Sequence, residues 1–439
     1  MTGQLNRRQF LKAAGATAAF TIIPGGLVRG FAANNKVNVA CIGVSGMGGG
    51  NRQWLARIGA NIVGLCDVDS KSVEGALKEH PQAKTWTDFR EMLEKQKEID
   101  AVMVSTPDHI HYPASMLAMK LGKHVCTEKP MAHSVWEARQ MALAAKKYKV
   151  ATQHDHENHA VDGLRTLVEW VKSGAIGKVT EVHIWSDRPI WPQGITKRPA
   201  SKPVPPTLNW DLWIGPAPYR EYHEGLHPFS WRGYWDFGCG ALGDMGCHFW
   251  DSAFWSLDLG QPATIEAEHE GNSTETGPKW SIVTYHFPER GPDLPAVTVK
   301  WYDGGKLPPR PEELEKDRKL PGNGSLFVGD KGKILVNDAA SPRIIPEEKM
   351  KAFERPKPFI PRSGDHKLEW LKACQGGPPA GSDFALFGGP LAEVVLLGNV
   401  AIRAGKKIEW DHENLKARNA PDVDPYIRRE YRKGWDFTG

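Results

Sequence analysis

Apolar and polar positions along the chain fall into two regimes. From residue 36 to about 155, short apolar runs alternate with helix-compatible stretches. Val37, Val39, Ala40, Cys41 and Ile42 form one run, Asn61 to Cys66 a second, and Asp100 to Thr106 a third. Near-continuous apolar runs of this length fit strands covered on both faces, as in a parallel sheet. Helices are expected between them over Asn51 to Ile58 and Ala114 to Leu121, the second after a break at Pro107 to Pro113. Ser134 with Glu137 three residues on forms a capping box for the next helix, and Val150 to Gln153 closes this half. After residue 160 the pattern changes. A helix over Gly163 to Lys172 is followed by long segments that alternate apolar and polar: Val179 to Ser186, Ala263 to His269, Trp280 to Phe287, Ala296 to Trp301 and Ser325 to Val328. Such alternation predicts an antiparallel sheet with one wet face. Leu391 to Ala404 reads as an apolar helix stopped by Gly405, and the Arg-, Tyr- and Trp-rich tail Pro425 to Phe437 as an arm packed on the body or on a neighbouring subunit. The expected fold is an α/β domain with a parallel sheet (34–158), then an α+β domain with a mostly antiparallel open sheet (159–439).

The first strand runs straight into Gly43-Val-Ser-Gly-Met-Gly48. A strand, glycine turn and helix place backbone N–H groups at a helix N-terminus, where a pyrophosphate can sit. Ser45 stands where G-x-G-x-x-G has its second glycine, with Gly46 beside it, so the turn alone is a weak signal. Asp67, 19 residues beyond Gly48 at the end of the second strand, strengthens it. A carboxylate there accepts hydrogen bonds from adenosine ribose hydroxyls and repels a 2′-phosphate, so NAD is expected rather than NADP. An ordinary βαβ unit with a glycine turn is the bland alternative.

Charge changes the picture only at the N-terminus. The formal net charge is +4, but residues 1–33 hold Arg7, Arg8, Lys12 and Arg29 and no acid. The remainder has equal numbers of basic and acidic residues, which argues against a nucleic-acid partner held by bulk charge. Asn6-Arg-Arg-Gln-Phe-Leu-Lys12 resembles a twin-arginine export signal. An apolar stretch of 11 residues follows, Ala13 to Ile23, too short for a membrane span, with Gly30-Phe-Ala32 as a cleavage site. This implies export of the folded protein by the twin-arginine machinery to the periplasm or beyond, with no membrane insertion after processing. No later stretch reads as long and apolar enough to span a bilayer. The six cysteines form no C-x-x-C pair and are expected as reduced, buried thiols.

Two further places carry candidate chemistry. Lys129 lies at a strand end between Glu128 and Pro130, and the proline biases it toward an extended backbone. A partly dehydrated lysine near a positive nicotinamide suits acid–base or polarising work, whereas a lone lysine is more often a surface residue. Asp244 and His248 are spaced i, i+4, which puts them on one helical face. Histidine can take a hydroxyl proton while the carboxylate orients it; a helix-capping pair is the alternative.

Taken in order, the glycine turn, Thr106-Pro-Asp-His109, Glu128-Lys-Pro130, Gly174-Ala-Ile-Gly177, and Asp244 with His248 resemble the glucose–fructose oxidoreductase / inositol dehydrogenase / rhizopine catabolism (Gfo/Idh/MocA) family over essentially all of 36–439. The resemblance implies a Rossmann domain followed by an α+β domain whose open sheet often forms subunit contacts, hence a homo-oligomer. It implies Lys129, Asp244 and His248 as the catalytic group. It implies Gly43, Ser45, Gly46, Gly48, Asp67, Thr106, Pro107, His109 and Glu128 as the cofactor group, and because an exported enzyme has no ready pool of free dinucleotide, a tightly held NAD is expected. The reaction implied is oxidation of a secondary hydroxyl of a sugar, sugar derivative or cyclitol. A glycosidase that retains NAD and oxidises its sugar transiently is the alternative, and a non-enzymatic sensor is a third reading that the three catalytic residues oppose.

Gln153-His-Asp-His-Glu-Asn-His159 departs from the family pattern. His154, His156 and His159 with Asp155 and Glu157 are metal-ligand types, but the spacing matches no established site, so no metal is expected and a polar substrate rim is. Trp185, Trp191, Trp231 and Trp235 lie on the way to Asp244 and are candidates for stacking on sugar rings, with core packing as the alternative.

Overall fold

The structure, a computed structural model, describes residues 36–338 and 341–437; the export segment, 1–33, lies outside the described residues. The first half builds a six-stranded, all-parallel sheet from β1 (Asn38–Ile42), β2 (Asn61–Cys66), β3 (Lys84–Trp86), β4 (Ala101–Val104), β5 (His124–Glu128) and β6 (Thr152–Asp155), in the order β3-β2-β1-β4-β5-β6. Every residue of β4 and β6 is buried, which is why these segments carry no alternation. Helices α1 (Met47–Arg57), α2 (Ser70–Glu79), α3 (Phe89–Lys95), α4 (Asp108–Lys120) and α5 (Val135–Tyr148) connect the strands. Ser134 caps α5, and its hydroxyl and the Glu137 carboxylate form the reciprocal capping box.

The second half opens with α6 (Asp162–Lys172). It then builds a nine-stranded mixed sheet from β7 (Val179–Trp185), β8 (Thr264–Glu270), β9 (Trp280–Phe287), β10 (Val297–Tyr302), β11 (Gly324–Gly329), β12 (Lys333–Asn337), β13 (Arg343–Ile345), β14 (Ile408–Asp411) and β15 (Lys416–Ala417). The order is β13-β12-β11-β7-β10-β9-β8-β14-β15; β7 and β10 pair in parallel and the other pairs are antiparallel. Along β9, buried Ser281, Val283, Tyr285 and Phe287 alternate with half-buried neighbours. The buried face packs on α7 (Gly240–Ser256) and α9 (Gly389–Ala404), where Val283, Tyr285 and Phe287 join Leu242, Trp250 and Val395 in one core. The opposite face is polar, with Glu266, Glu268, Thr284, His286, Thr298 and Lys300. α8 (His366–Cys374) returns to the parallel sheet, and residues 36–439 form one compact unit.

Several expectations shift. α1 begins at Met47, four residues before Asn51, because close packing overrides the low helix propensity of Gly48-Gly-Gly50. α4 begins at Asp108 and carries Pro113 within it, so Pro107, with extended ψ, is the break and Pro113 is not. β6 extends to Asp155, so His154 lies inside the sheet. The 21-residue run Phe384–Ala404, which holds an 18-residue window of mean hydropathy 1.7, is in fact long and apolar enough to cross a bilayer, which corrects the expectation that no later stretch is. That window is 78% buried among the other helices and strands, as a core helix is. Trp185 is fully buried with Tyr302, Leu314, Leu326 and Ile345 and donates its indole N–H to Pro321 O at 2.8 Å, which rules it out as a sugar platform. All six cysteines are buried free thiols.

The C-terminal arm packs on the body of its own chain. Arg90 lies 4.3 Å over Trp435, and Tyr431 stacks on Tyr112 at 5.9 Å. The Tyr431 hydroxyl donates to Glu137 Oε1 at 2.7 Å, while Oε2 takes the backbone N–H of His133 and Ser134. Tyr431→Phe leaves Oε1 of a buried carboxylate without this donor, a loss of about 1–3 kcal/mol. Urea melts of the variant should show it, and an unchanged midpoint and slope would contradict this docking of the arm.

Candidate active site

The parallel sheet brings the ends of four strands, β1, β2, β4 and β5, to one side, and each carries residues of the expected cofactor group. Gly43 has φ +80°, and a Cβ on it would lie 2.4 Å from Ser105 O. A Cβ on Gly48 would lie 2.2 Å from Gly43 O, so the turn closes on α1 and β4 only with glycine at both positions. Gly46, at φ +55°, is the N-cap of α1, which leaves the first N–H groups of that helix open at the cleft. Asp67 follows β2; its Oδ2 accepts from Val44 N and its Oδ1 from Asp69 N, each at 3.0 Å. Burial raises its pKa, and the two amide donors oppose that shift. Each oxygen keeps a lone pair for a ribose hydroxyl.

A cavity of about 560 Å³ runs along these loops. Gly43, Ser45, Gly46, Asp67, Thr106, Pro107, Glu128 and Lys129 all line it. Gly48 supports the turn from behind. His109 does not line the cavity, contrary to expectation. Its ring is fully buried, with Nδ1 3.2 Å from Phe237 O and Nε2 2.9 Å from Trp213 O, so it ties α4 to backbone of the second half. Glu128 is buried, and Oε1 accepts from Asn51 Nδ2 at 2.8 Å. Its pKa is pushed up to about 7 by burial and by Asp155, with Lys129 opposing.

At the inner end of the cavity Lys129 meets α7. Its Nζ lies 3.0 Å from Asp244 Oδ2 and donates to Asp244 O at 3.1 Å. Arg232 donates through Nε to Asp244 Oδ1 at 3.2 Å. Burial acts to raise the Asp244 pKa, but Lys129 and Arg232 outweigh it and hold the carboxylate below its usual range. His248 stands one turn along α7, half-buried, and among the described residues its ring nitrogens have no hydrogen-bond partner. Its pKa is lowered to about 3, first by burial, then by Lys129 and His156, with Asp244 opposing. The ring is therefore neutral at ordinary pH with a lone pair to offer. The cavity wall reaches Lys129 and Arg232 but not Asp244 or His248.

Four site residues escape a reading of sequence alone. Arg232 binds Asp244 and lies 4.4 Å over Trp231 and 4.7 Å over Phe229, both cavity-lining; its signal is a lone Arg inside Trp231-Arg-Gly-Tyr-Trp235. Asn51 links Ser105 Oγ to Glu128. Asp108, inside the Thr-Pro-Asp-His run, accepts from Cys239 N at 3.0 Å, and burial together with Asp244 pushes its pKa up to about 8. Asp251, three residues after His248, contacts His156 and His159. The stretch from His154 to His159 is no substrate rim: His154, Asp155, His156 and His159 are buried and none lines the cavity.

A parallel sheet with a glycine turn feeding a helix, joined to a mixed sheet whose α7 supplies an acid and a histidine, defines a dinucleotide-binding protein of two sheets. Residues 37–156 match the oxidoreductase family with an NAD-binding Rossmann fold, and 158–292 match its C-terminal alpha/beta domain. The chain belongs to the Gfo/Idh/MocA oxidoreductase family. Residues 4–23 match the twin-arginine translocation signal, so the protein is exported folded across the cytoplasmic membrane. The D-glucoside 3-dehydrogenase of Escherichia coli is 31% identical over 260 residues, 58% of this chain and 63% of that protein. A glycosyl hydrolase family 109 protein of Shewanella pealeana is 28% identical over 40% of this chain and 44% of its own. The chain thus spans about half to just under two thirds of these curated relatives. The WlbA dehydrogenase of Bordetella pertussis, solved with NADH and UDP-GlcNAcA, shares the fold at TM-score 0.59 and 17% identity, over 86% of this chain and 99% of that one.

Asp108 yields a pH prediction. With its folded pKa near 8 and its ordinary value at 3.8, the folded state holds a proton there that the unfolded chain has lost. Its contribution to stability is therefore present below pH 4 and is lost as pH rises through about 8. Asp108→Asn removes that slope, so its melting temperature should gain on the wild type between pH 5 and pH 8. A constant gap across that range would show that Asp108 ionises normally.

Proposed function

We propose that this protein is an NAD-dependent oxidoreductase acting outside the cytoplasm on a secondary hydroxyl of a sugar, sugar derivative or cyclitol. The observation that carries the reading is the meeting of Lys129, at the end of the cofactor cleft, with Asp244 on the helix that also presents neutral His248. Residues 34–158 form the cofactor half of this reading and 159–439 the substrate half. The cleft fits a dinucleotide: an open helix N-terminus for the pyrophosphate, Asp67 for the ribose, and Lys129 at the far end. When bound, NAD supplies the hydride acceptor.

The remaining work falls to side chains of this chain. A ring nitrogen of His248 takes the hydroxyl proton, and the Asp244 carboxylate stabilises the imidazolium so formed. Lys129, pinned by Asp244, donates to the substrate oxygen and holds it in place. Phe229, exposed, and Trp231, largely buried, both line the cleft beside Arg232 and suit the apolar face of a sugar ring. The likeness to a glucoside dehydrogenase supports the substrate class.

The second reading is a glycosidase that oxidises its sugar transiently and returns the hydride. It is favoured by the likeness to a glycosyl hydrolase family 109 protein and by export, which removes the protein from the cytoplasmic dinucleotide pool. A retained NAD serves either reading, as does a homo-oligomer.

His248→Ala should lower turnover by about 10² to 10⁴-fold and leave NAD affinity nearly unchanged. Near-wild-type turnover in that variant would sink the mechanism. Following NADH absorbance during turnover separates the two readings: accumulating NADH accompanies net oxidation, whereas glycoside cleavage with a flat absorbance marks the recycled cofactor. Calorimetry should also show NAD binding tighter than NADP, because Asp67 faces the ribose site. Equal or tighter NADP binding would contradict that role for Asp67.

A further inference from the structure

We propose that His156, His159 and Asp251 form a site for one divalent first-row transition-metal ion of the zinc type, placed behind the reaction cleft and independent of which net reaction occurs. His156 follows the end of β6, His159 lies in the short 3-10 turn Glu157–Ala160, and Asp251 lies on α7. All three are at most 2% exposed. His156 Nε2 lies 3.0 Å from Asp251 Oδ2. His159 Nδ1 lies 3.0 Å from Oδ2 and 3.1 Å from Oδ1. One ligand atom from each residue falls within 4.8 Å of the other two. An ion with bonds of about 2.0–2.2 Å to nitrogen and oxygen spaces its tetrahedral ligands by roughly 3.3–3.5 Å, so small movements suffice to seat it.

Hydrogen bonding alone does not account for the cluster. His159 does hydrogen-bond Asp251. His156 Nε2, equally close to that carboxylate, makes no hydrogen bond, and neither does its Nδ1. A ring nitrogen 3.0 Å from a carboxylate oxygen but not aimed at it is the arrangement of two ligands directed at a shared third point. The shortage extends outward. Both nitrogens of His154, whose ring centroid lies 4.5 Å from that of His156, are buried without a partner, as is Nδ1 of His366. Buried polar groups left unpaired are costly, and a metal converts one of these imidazoles, that of His156, from a liability into a ligand.

The surroundings suit a cation. Lys367 is the nearby buried ammonium, but it is committed to Asp155 Oδ1 at 3.2 Å and Glu157 Oε1 at 2.8 Å, which leaves Asp251 to the histidines. Trp255 stacks on His159 at 4.4 Å and Phe387 lies at 4.5 Å, giving an apolar wall. Two imidazoles and one carboxylate with no thiolate match the donor sets of zinc and its neighbours. Export of the folded chain allows the ion to be loaded before translocation. The ion would join the end of the parallel sheet to α7. Asp251 lies three residues beyond His248 on that helix, and Asn158 Nδ2 already donates to His248 O at 3.3 Å. The site therefore fixes the turn of α7 that presents His248.

Elemental analysis of the full chain, purified without added metal from cells grown with zinc, manganese, iron and cobalt, tests this. Wild-type protein should carry about one ion per chain, and Asp251→Asn and His156→Ala each less than about a tenth. Zn²⁺ returned to chelator-treated wild-type protein should bind at a single site and raise the melting temperature. This second measurement decides the matter if either variant fails to fold. Metal-poor wild-type protein whose melting temperature Zn²⁺ does not move would overturn the proposal, as would a stoichiometric ion that survives in a folded Asp251→Asn variant.

Discussion

The pairing of Lys129 with Asp244 is the interaction on which the site depends. It joins the end of β5 to α7 across 115 positions of chain. Neither charge is cheap where it sits. The Lys129 side chain is 14% exposed and that of Asp244 9%, so each needs the other, and Arg232 supplies Asp244 with a second cation. Removing one member of such a set leaves an uncompensated charge, which couples the geometry of the cleft to the seam between the two sheets. The same field sets His248: Lys129 and burial keep its ring neutral, while Asp244 stands ready to stabilise the cation once a proton arrives.

Around that pair the structure separates two environments for titratable groups. On the cleft side, Asp67, Glu128 and Lys129 line the cavity and keep lone pairs or protons for a ligand. Behind it, His154, His156, His159, His366 and Asp251 lie buried, with His159 packed against Trp255 and Phe387. α7 faces both. Asp244 looks to the cleft side and Asp251 to the buried histidines, so one helix carries the electrostatics of both halves of the site.

What the amino-acid sequence makes legible is local. A buried parallel strand must be apolar throughout, a one-sided sheet must alternate, and a turn with φ +80° pressed against Ser105 O must be glycine. The capping box of α5, the Gly405 stop of α9 and the i, i+4 spacing of Asp244 and His248 are likewise statements about neighbours along the chain. Boundaries moved where tertiary packing outweighed propensity, as in the glycine-rich start of α1 and the Pro113 turn of α4.

The sequence by itself determined the two sheet types, the glycine turn with its distal Asp67, the export signal, and Lys129, Asp244 and His248 as candidates. Each of these rests on spacing over at most a few turns of chain, or on a family resemblance carried by such spacings. Only the tertiary structure decided which side chains share a space. It turned His109 and Trp185 inward, placed Arg232 on Asp244, and brought Asp251 to His156 and to His159, the latter from 92 positions away along the chain. Those pairings depend on where the end of β6 meets α7, and no periodicity within either segment encodes that crossing.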